Sequence, residues 1–143
     1  MSVRVAIGCP TSLSIRQRVF AMVAVARAAH LVRGRTIEQI ADRLGSPLAN
    51  CVRDASPEDA RWADEAVCAV RPRFHSQRNA AERAAAAALL CALRGKRVRW
   101  CWGVRTPPAE STAWIEAGGQ AFGAAYNVRD AFTVLVSTPA AQT

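Results

Sequence analysis

The sequence predicts an α+β domain in which N-terminal helices are followed by a central helix packed on a small antiparallel sheet. Two observations lead to this fold class. Segments with helix-capping residues and helical periodicity occupy the chain up to Gly95, and β-prone segments separated by glycine and proline come after it. The chain has 143 residues, of which 51% are hydrophobic, so it can bury a core as one domain. We expect a single domain over residues 1–143, with a helical part at 1–55 and a helix-plus-sheet core at 56–137.

The first helix is predicted to lie between a serine cap and a glycine. Either Ser12 or Ser14 can cap its N-terminus, and we expect it to run to about Val32, with Gly34 just beyond. Apolar residues at helical spacing predict one buried face, and His30 is expected at the edge of that face as a polar residue. The face comprises Val19, Met22, Val23 and Ala26.

The second helix is predicted from a capping box. The sequence Thr36-Ile-Glu-Gln39 supplies the hydroxyl and the amide of such a box. Gly45 is expected to end the helix after Leu44. Residues 45–55 contain Pro47 and show little periodicity, so we expect them to be mostly a connector.

The third helix has a strong start signal. Ser56 can act as the cap, Pro57 suits the first turn, and the acidic residues that follow suit the helix dipole. We expect this helix to end before Pro72, and His75 lies in the loop that follows.

The fourth helix is predicted from Ala80 to Arg94. Asn79 and Glu82 are placed as a capping box, and Gly95 stands at the C-terminal cap position. The alanines at 84–88 have little bulk, so other elements can approach this helix closely, as is typical of a helix at the centre of a domain.

Four β-strands complete the predicted domain. Val98–Val104 alternates large residues and is β-prone, and Thr112–Glu116 is the next predicted strand. Gly118-Gly119 indicates a hairpin turn, after which Gln120–Ala124 should return antiparallel. Phe132–Val136 is the final apolar strand. This order gives helices first and a sheet second.

Several motifs in this core share one order and spacing with a known family. They are Ser56-Pro-Glu-Asp-Ala-Arg61, the series Leu89-Leu90, Arg94-Gly95 and Gly103-Val104, and the strand Ala113-Trp-Ile-Glu116. Together they resemble the C-terminal domain of the lasso-peptide leader peptidases, which are transglutaminase-like cysteine hydrolases. The resemblance implies a transglutaminase-like or papain-like core and a role in bacterial natural-product biosynthesis.

The resemblance also implies that the catalytic pair is missing. The family has a cysteine at the start of the central helix and a histidine directly before the Ala-Trp strand motif, where this chain has Ala80 and Thr112. A helix N-terminus lowers the pKa of a thiol there, but alanine has no nucleophile and a hydroxyl is no general base at pH 7. The nearest counterparts of the family's third catalytic residue are Gln120, Asn127 and Asp130. We therefore expect a degenerate member without the peptidase triad.

Two functions follow for such a member. In the first, the fold is retooled to bind and convert a biosynthetic intermediate, by cyclisation or isomerisation, in a pocket between helix and sheet. Glu116 and Glu82 would then be the catalytic residues, and the substrate-binding residues would be Asn79, Ala80, Thr112, Trp114 and Trp102, with Trp100 as an alternative to Trp102. In the second, the chain is a non-catalytic pseudo-peptidase that binds a leader peptide or a partner biosynthetic protein.

Structural roles compete with each of these assignments. Glu116 could be a hydrogen-bonded structural carboxylate, Glu82 the partner of a helix cap, and the tryptophans part of the core. A dyad of Cys101 and His75 could replace the lost thiol and imidazole, although opposed elements would have to converge.

Composition limits the remaining classes. The net charge of +8 comes from basic residues spread along the chain, which makes nucleic-acid binding improbable but suits an acidic peptide. Five cysteines without a C-x-x-C pair argue against a zinc or redox site, and we expect no metal or cofactor. The most apolar run is too short to span a membrane and no signal peptide is visible, so a cytoplasmic protein is expected.

Overall fold

The structure is a computed structural model, and it describes residues 13–75, 79–105, 109–123 and 128–138. It confirms the predicted α+β class, with helices first and an antiparallel sheet after them. The helices are α1 (Ile15–Val32), α2 (Ile37–Ala49), α3 (Pro57–Val70), α4 (Ala80–Leu93) and the short α5 (Val128–Ala131), with a 3-10 turn at Pro72–His75. The strands are β1 (Arg53–Asp54), β2 (Lys96–Arg97), β3 (Arg99–Arg105), β4 (Glu110–Ala117), β5 (Gln120–Phe122) and β6 (Thr133–Ser137).

Capping boxes fix the starts of the first three helices. The hydroxyls of Ser14, Thr36 and Ser56 each accept a hydrogen bond from the backbone N–H of the residue three positions later. The side chain of that later residue accepts a hydrogen bond from the backbone N–H of the capping residue. Each box satisfies N–H groups that the helix itself leaves without partners. The three predicted starts are therefore confirmed, while Ser12 lies outside the described residues.

The predicted end of α2 at Leu44 is wrong, because the helix continues through Gly45 and Pro47 to Ala49. Leu48 extends the buried stripe by one turn beyond Leu44 and is 3% exposed. The missing N–H of Pro47 removes one helical hydrogen bond. Arg97 Nε donates to the Leu48 carbonyl at 3.2 Å, which satisfies an acceptor near the helix end. Burial and a contact from a distant strand thus set this boundary.

The predicted buried face of α1 is also wrong. The buried residues of this helix are Ala21, Ala24, Val25 and Ala28. At about 100° per residue, they lie on the side opposite to Val19, Met22, Val23, Ala26 and His30. The alanine face is buried because it lets α1 approach the equally alanine-rich α4 closely, and both sets of alanines belong to one core cluster.

Helix α4 is the centre of the fold. Every residue from Ala84 to Cys91 is buried, so the helix has no solvent face over these two turns. It contacts α1, α2 and α3 on its sides and strand β4 of the sheet. Its end after Leu93 lies one residue before the predicted end, and Gly95 follows with a φ of 75°.

The main sheet is antiparallel, with the strand order β5-β4-β3-β6. The predicted hairpin between β4 and β5 is confirmed, since Gly118 and Gly119 have φ angles of 59° and 80°. An added Cβ at Gly118 would lie 2.8 Å from Pro57 Cγ, so a larger residue there would collide with the start of α3. A separate parallel pair, β1 with β2, links the end of α2 to the end of α4.

The two faces of this sheet are covered by different layers. Trp100, Ala113 and Ile115 belong to the core cluster that contains α4. Cys101 and Trp114 instead pack with Val128 and Phe132, at the other face. Because side chains alternate along a strand, Thr112 and Glu116 share the face of Trp114. This face points away from α4.

The close packing of α4 generates a first prediction. Ala86 is fully buried, so Ala86→Leu must force apart two packed elements, and we expect the free energy of unfolding to fall by about 1–3 kcal/mol. Ala49→Leu, at an exposed helix position, is the matched control and should change stability little. Urea denaturation followed by circular dichroism measures both. Equal stability of the two variants would contradict the central place of α4.

The cap of α3 generates a second prediction. Asp59 bonds the Ser56 backbone N–H at 3.0 Å and Lys96 Nζ at 3.1 Å. The backbone hydrogen bond, supported by Lys96, lowers the pKa of this carboxyl below its ordinary value. A depressed folded-state pKa means that the carboxylate stabilises the fold above its unfolded pKa of about 3.9. That stabilisation is lost as the pH falls through the folded-state pKa.

We therefore expect Asp59→Asn to lower the free energy of unfolding by about 0.5–2 kcal/mol at pH 7 and by clearly less at pH 3. Urea denaturation at both pH values tests this. The neighbouring exposed residue supplies the control, because Glu58→Gln should show no comparable pH dependence. A loss for Asp59→Asn that is the same at both pH values would rule out the ionised carboxylate as its cause.

Candidate functional site

The two positions that the resemblance assigns to catalysis lie at the start of α4 and in the first half of β4. Ala80 is the first residue of the helix, and Thr112 pairs with Gly103 of β3. Both residues are buried, each with 7% of its surface exposed. The hydroxyl of Thr112 is inaccessible and has no hydrogen-bond partner within the described part of the chain.

A buried ion pair fixes the start of α4 against its neighbours. Arg83 bonds both carboxylate oxygens of Asp64 in α3 at 2.8 Å, and its Nη1 donates to the Phe74 carbonyl at 3.1 Å. An added Cβ at Gly123, just beyond β5, would lie 3.4 Å from Asp64 Oδ1. Phe122 pairs with Ile115, so this ion pair lies beside the end of β5 that adjoins the middle of β4.

This ion pair was not predicted from the sequence. A signal for it was present. Asp64 stands on the apolar stripe of α3 with Ala60, Ala63 and Val67, and a carboxylate at such a position needs a cationic partner.

Glu116 and Trp114, predicted as catalytic and substrate-binding, bond each other. Trp114 Nε1 donates to Glu116 Oε2 at 2.9 Å, and Arg99 Nη1 lies 3.5 Å from the other carboxylate oxygen. Trp114 is fully buried, and its ring meets that of Phe132 edge to face with centroids 6.1 Å apart. An added Cβ at Gly103 would approach Trp114 Cη2 to 2.8 Å, so only glycine fits under this ring.

The structure does not bring Trp102 to these two residues. Trp102 pairs with Ala113, which places it on the opposite face of the sheet, where it packs against the α4 core. Trp100, the alternative, lies on that same face and is fully buried. The tryptophans predicted to bind substrate in one pocket are therefore divided between the two faces.

The predicted capping box at the start of α4 is wrong. Asn79 makes no side-chain cap bond, because its ψ of 29° differs from the extended value that aims a capping side chain at the first turn. Its Nδ2 donates instead to the Arg73 carbonyl at 3.3 Å. Glu82 Oε2 lies 3.9 Å from Arg71 Nη2 and, among the described residues, accepts no hydrogen bond.

The described thiols are in the wrong environments for a nucleophile. Burial raises the pKa of Cys68 to about 11 and that of Cys91 to about 12, and it also raises the pKa of Cys51. A catalytic thiol needs a shift in the other direction. Cys101 is fully buried in the cluster with Trp114, whereas His75 is exposed on the 3-10 turn.

The counterparts of a third catalytic residue remain scattered. Gln120 is exposed at the start of β5 and pairs with Ala117, at the far end of β4 from Thr112. Asn127 lies outside the described residues, and only the backbone of Asp130 is described, within α5. No described side chain takes the place of this third residue beside Thr112.

A comparison with protein families matches residues 20–137 to the transglutaminase-like superfamily. The chain belongs to this superfamily. The match includes the helical layer, α4 and all of the antiparallel sheet. Comparisons with curated proteins and with solved structures found no match.

The expected superfamily is thus confirmed, while the closer likeness to lasso-peptide leader peptidases remains a prediction. Ala80 and Thr112 belong to elements that contact each other, α4 and β4, but the Thr112 side chain lies on the sheet face that points away from α4. Within the described residues, no helix combines the length and the apolar character that crossing a bilayer requires.

The Trp114–Glu116 contact generates a third prediction. Glu116→Gln should lower the free energy of unfolding by about 1–3 kcal/mol, because it weakens the bonds to the indole and the guanidinium. In a double-mutant cycle with Trp114→Phe, the two effects should be non-additive by more than about 0.5 kcal/mol. Urea denaturation of the four proteins gives the coupling energy.

The same two strands provide the control. Arg105 and Glu110 form a cross-strand pair at 2.8 Å whose carboxylate is 41% exposed. Glu110→Gln should therefore cost under about 1 kcal/mol. Additive effects of Glu116→Gln and Trp114→Phe would remove the argument that Glu116 stabilises this face of the sheet.

Proposed function

We propose that this chain is a non-proteolytic member of the transglutaminase-like superfamily that acts in bacterial natural-product biosynthesis by binding a polypeptide, either a leader peptide or a partner biosynthetic protein. The observation that carries the proposal is the pair of residues at the expected catalytic positions. Ala80 begins the central helix without a thiol, and Thr112 occupies the strand position without an imidazole.

The surroundings of these positions support the loss of peptidase chemistry. The thiols with raised pKa values are buried, so they stay protonated near neutral pH. Arg83 and Asp64 hold the start of α4 in place although Ala80 supplies no reacting group there. A helix start that is held in this way suits recognition.

The contacts of Glu116 favour binding over conversion. A general acid or base must reach the substrate and exchange a proton with it. Glu116 is instead bonded to Trp114 and Arg99 on the sheet face that points away from α4. Its geometry is that of a structural carboxylate, so the proposal assigns it no catalytic role.

Conversion of a biosynthetic intermediate, by cyclisation or isomerisation, is the second candidate. The observation that favours it is that two of the buried polar atoms without a hydrogen-bond partner among the described residues, Thr112 Oγ1 and Glu82 Oε2, belong to residues predicted for the site. Unsatisfied buried atoms of this kind are costly and can be completed by a ligand. In this candidate, Glu82 would be the proton-transfer group.

Binding and turnover can be measured in one experiment. Fluorescein-labelled peptides translated from the short open reading frames beside the gene are titrated with the protein, and anisotropy reports binding. Mass spectrometry of the same mixtures reports any change of the peptide. We expect saturable binding to one of these peptides, with its mass unchanged after prolonged incubation.

Other outcomes decide against the proposal. Cleavage of a peptide would restore hydrolase chemistry, and its loss in Cys101→Ala would point to the thiol dyad. A product of altered mass or retention that fails to form with Glu82→Gln would establish the second candidate. Absence of binding to every peptide would overturn the peptide-binding function itself.

A further inference from the structure

Helix α1 has an apolar face that the described fold leaves uncovered. Val19, Met22 and Val23 are 48%, 52% and 42% exposed, and Ala26 is exposed one turn further on. We call these four residues the α1 stripe. Side chains of this size at helical spacing are normally buried, so their exposure on one continuous face indicates a contact surface.

The α1 stripe leads into a groove between α1, α2 and α4, with a volume of about 400 Å³. Its floor is apolar and is formed by Ala26, Leu31, Pro47 and Leu89. A more polar extension of about 500 Å³ continues past the Gly34 turn to Gln39. We call both parts together the basic groove, because cationic and imidazole side chains surround it: Arg27, His30, Arg33, Arg35 and Arg43.

The charge of this groove is not neutralised by the fold. Helices α1 and α2 and their connection, residues 15–49, contain six arginines and two acidic residues. Within the described part of the chain, no ion pair includes any of these arginines. Arg35 bonds the backbone carbonyls of His30 and Leu31, both at 3.0 Å, at the end of α1. The guanidinium groups of Arg27, Arg33 and Arg43 therefore face the groove without a carboxylate.

We propose that the α1 stripe and the basic groove form one docking surface for an acidic, amphipathic segment of a partner polypeptide. Apolar side chains of the segment would cover the stripe, and its carboxylates would pair with the arginines, whose planar guanidinium groups suit bidentate bonds. This inference rests on the proposed binding function and identifies the surface that performs it.

The shape of the surface selects a polypeptide among the possible occupants. The α1 stripe spans eight residues of helix, or about 10 Å between its ends, which exceeds the reach of a small anion. Leu89 lines the groove although only 2% of its surface is exposed, so the floor is recessed and a flat bilayer would not reach it. A second copy would bring the same arginines face to face, which charge repulsion opposes.

The docking surface is remote from the former catalytic positions. Leu89 lies nine residues after Ala80 on α4, or about 13 Å along the helix. Variants in the groove can therefore weaken binding without disturbing the start of α4. The residues to be changed are exposed, so substitutions there should alter stability by under about 0.5 kcal/mol.

The test uses a synthetic fluorescein-labelled amphipathic peptide with leucine on one face and glutamate on the other. We expect Arg43→Glu to weaken its binding by about tenfold or more, with a similar loss for Met22→Ser/Val23→Ser, because these remove charge pairing and apolar contact respectively. Arg73→Glu, an equal charge change at an exposed site near the start of α4, should stay within about twofold of the parent protein. Anisotropy measures affinity, and circular dichroism confirms that each variant is folded.

Control peptides and two alternative occupants of the surface give the results that would contradict the proposal. A peptide with lysine in place of glutamate, or serine in place of leucine, should bind at least about tenfold more weakly. If Arg43→Glu and Arg73→Glu weakened peptide binding equally, the effect would come from net charge alone, and the proposed docking surface would be wrong. Dimerisation in sedimentation that Met22→Ser/Val23→Ser abolishes would assign the stripe to a second copy. Pelleting with phosphatidylglycerol vesicles that the same substitutions abolish would assign it to a membrane.

The surface and the function fail in different ways. If a peptide from the neighbouring reading frames binds the parent protein and Arg43→Glu equally well, the binding function stands and the docking surface is wrong. If those peptides do not bind while the synthetic acidic peptide does, and Arg43→Glu alone removes that binding, the surface stands and the proposed function is wrong.

Discussion

The complete burial of helix α4 is the constraint on which the rest of the structure depends. A helix enclosed by α1, α2, α3 and β4 can carry only side chains that let these elements approach, which explains the uninterrupted alanines from Ala84 to Ala88. Since alanine buries little apolar area, stability must come from the number of close contacts around the helix. The same requirement reaches α1, whose alanine face is packed inward while its larger residues stay outside.

The start of α4 has no side-chain cap, so other contacts must hold it in place. Arg83 bonds Asp64 and the Phe74 carbonyl, which joins α4 to α3 and to the turn between them. The resemblance to leader peptidases predicts a thiol at this place. The ion pair fixes the helix start although Ala80 supplies no reactive side chain there.

Local signals in the sequence predicted most of the fold, and tertiary contacts account for what they missed. The caps at Ser14, Thr36 and Ser56 and the Gly118-Gly119 turn involve neighbouring residues, so the sequence contains the whole interaction. The buried face of α1 depended on which partner would pack against it, because small apolar residues also stand on the side opposite to the predicted face. The length of α2 depended on Arg97, far along the chain.

At the candidate site, too, the arrangement along one strand could be predicted from the sequence, whereas the contacts with distant elements could not. Period-two alternation correctly placed Thr112, Trp114 and Glu116 on one face, but it could not say which layer would cover that face. Helix α5 and Phe132 cover it, and the carboxylate is occupied within the sheet.

The arginines of α1 and α2 form no ion pair within the described fold, unlike several arginines elsewhere in the chain. A protein with a net charge of +8 gains nothing in stability from unpaired guanidinium groups gathered around one groove, since they repel one another. Elsewhere in the described structure, arginines such as Arg83, Arg97 and Arg99 are used to bond carboxylates and carbonyls of the fold. The charge of these arginines stabilises the fold, whereas the charge of the arginines around the groove remains available to another molecule. Because the available charge adjoins exposed apolar residues, the surface open to another molecule lies on the helical layer, away from Ala80.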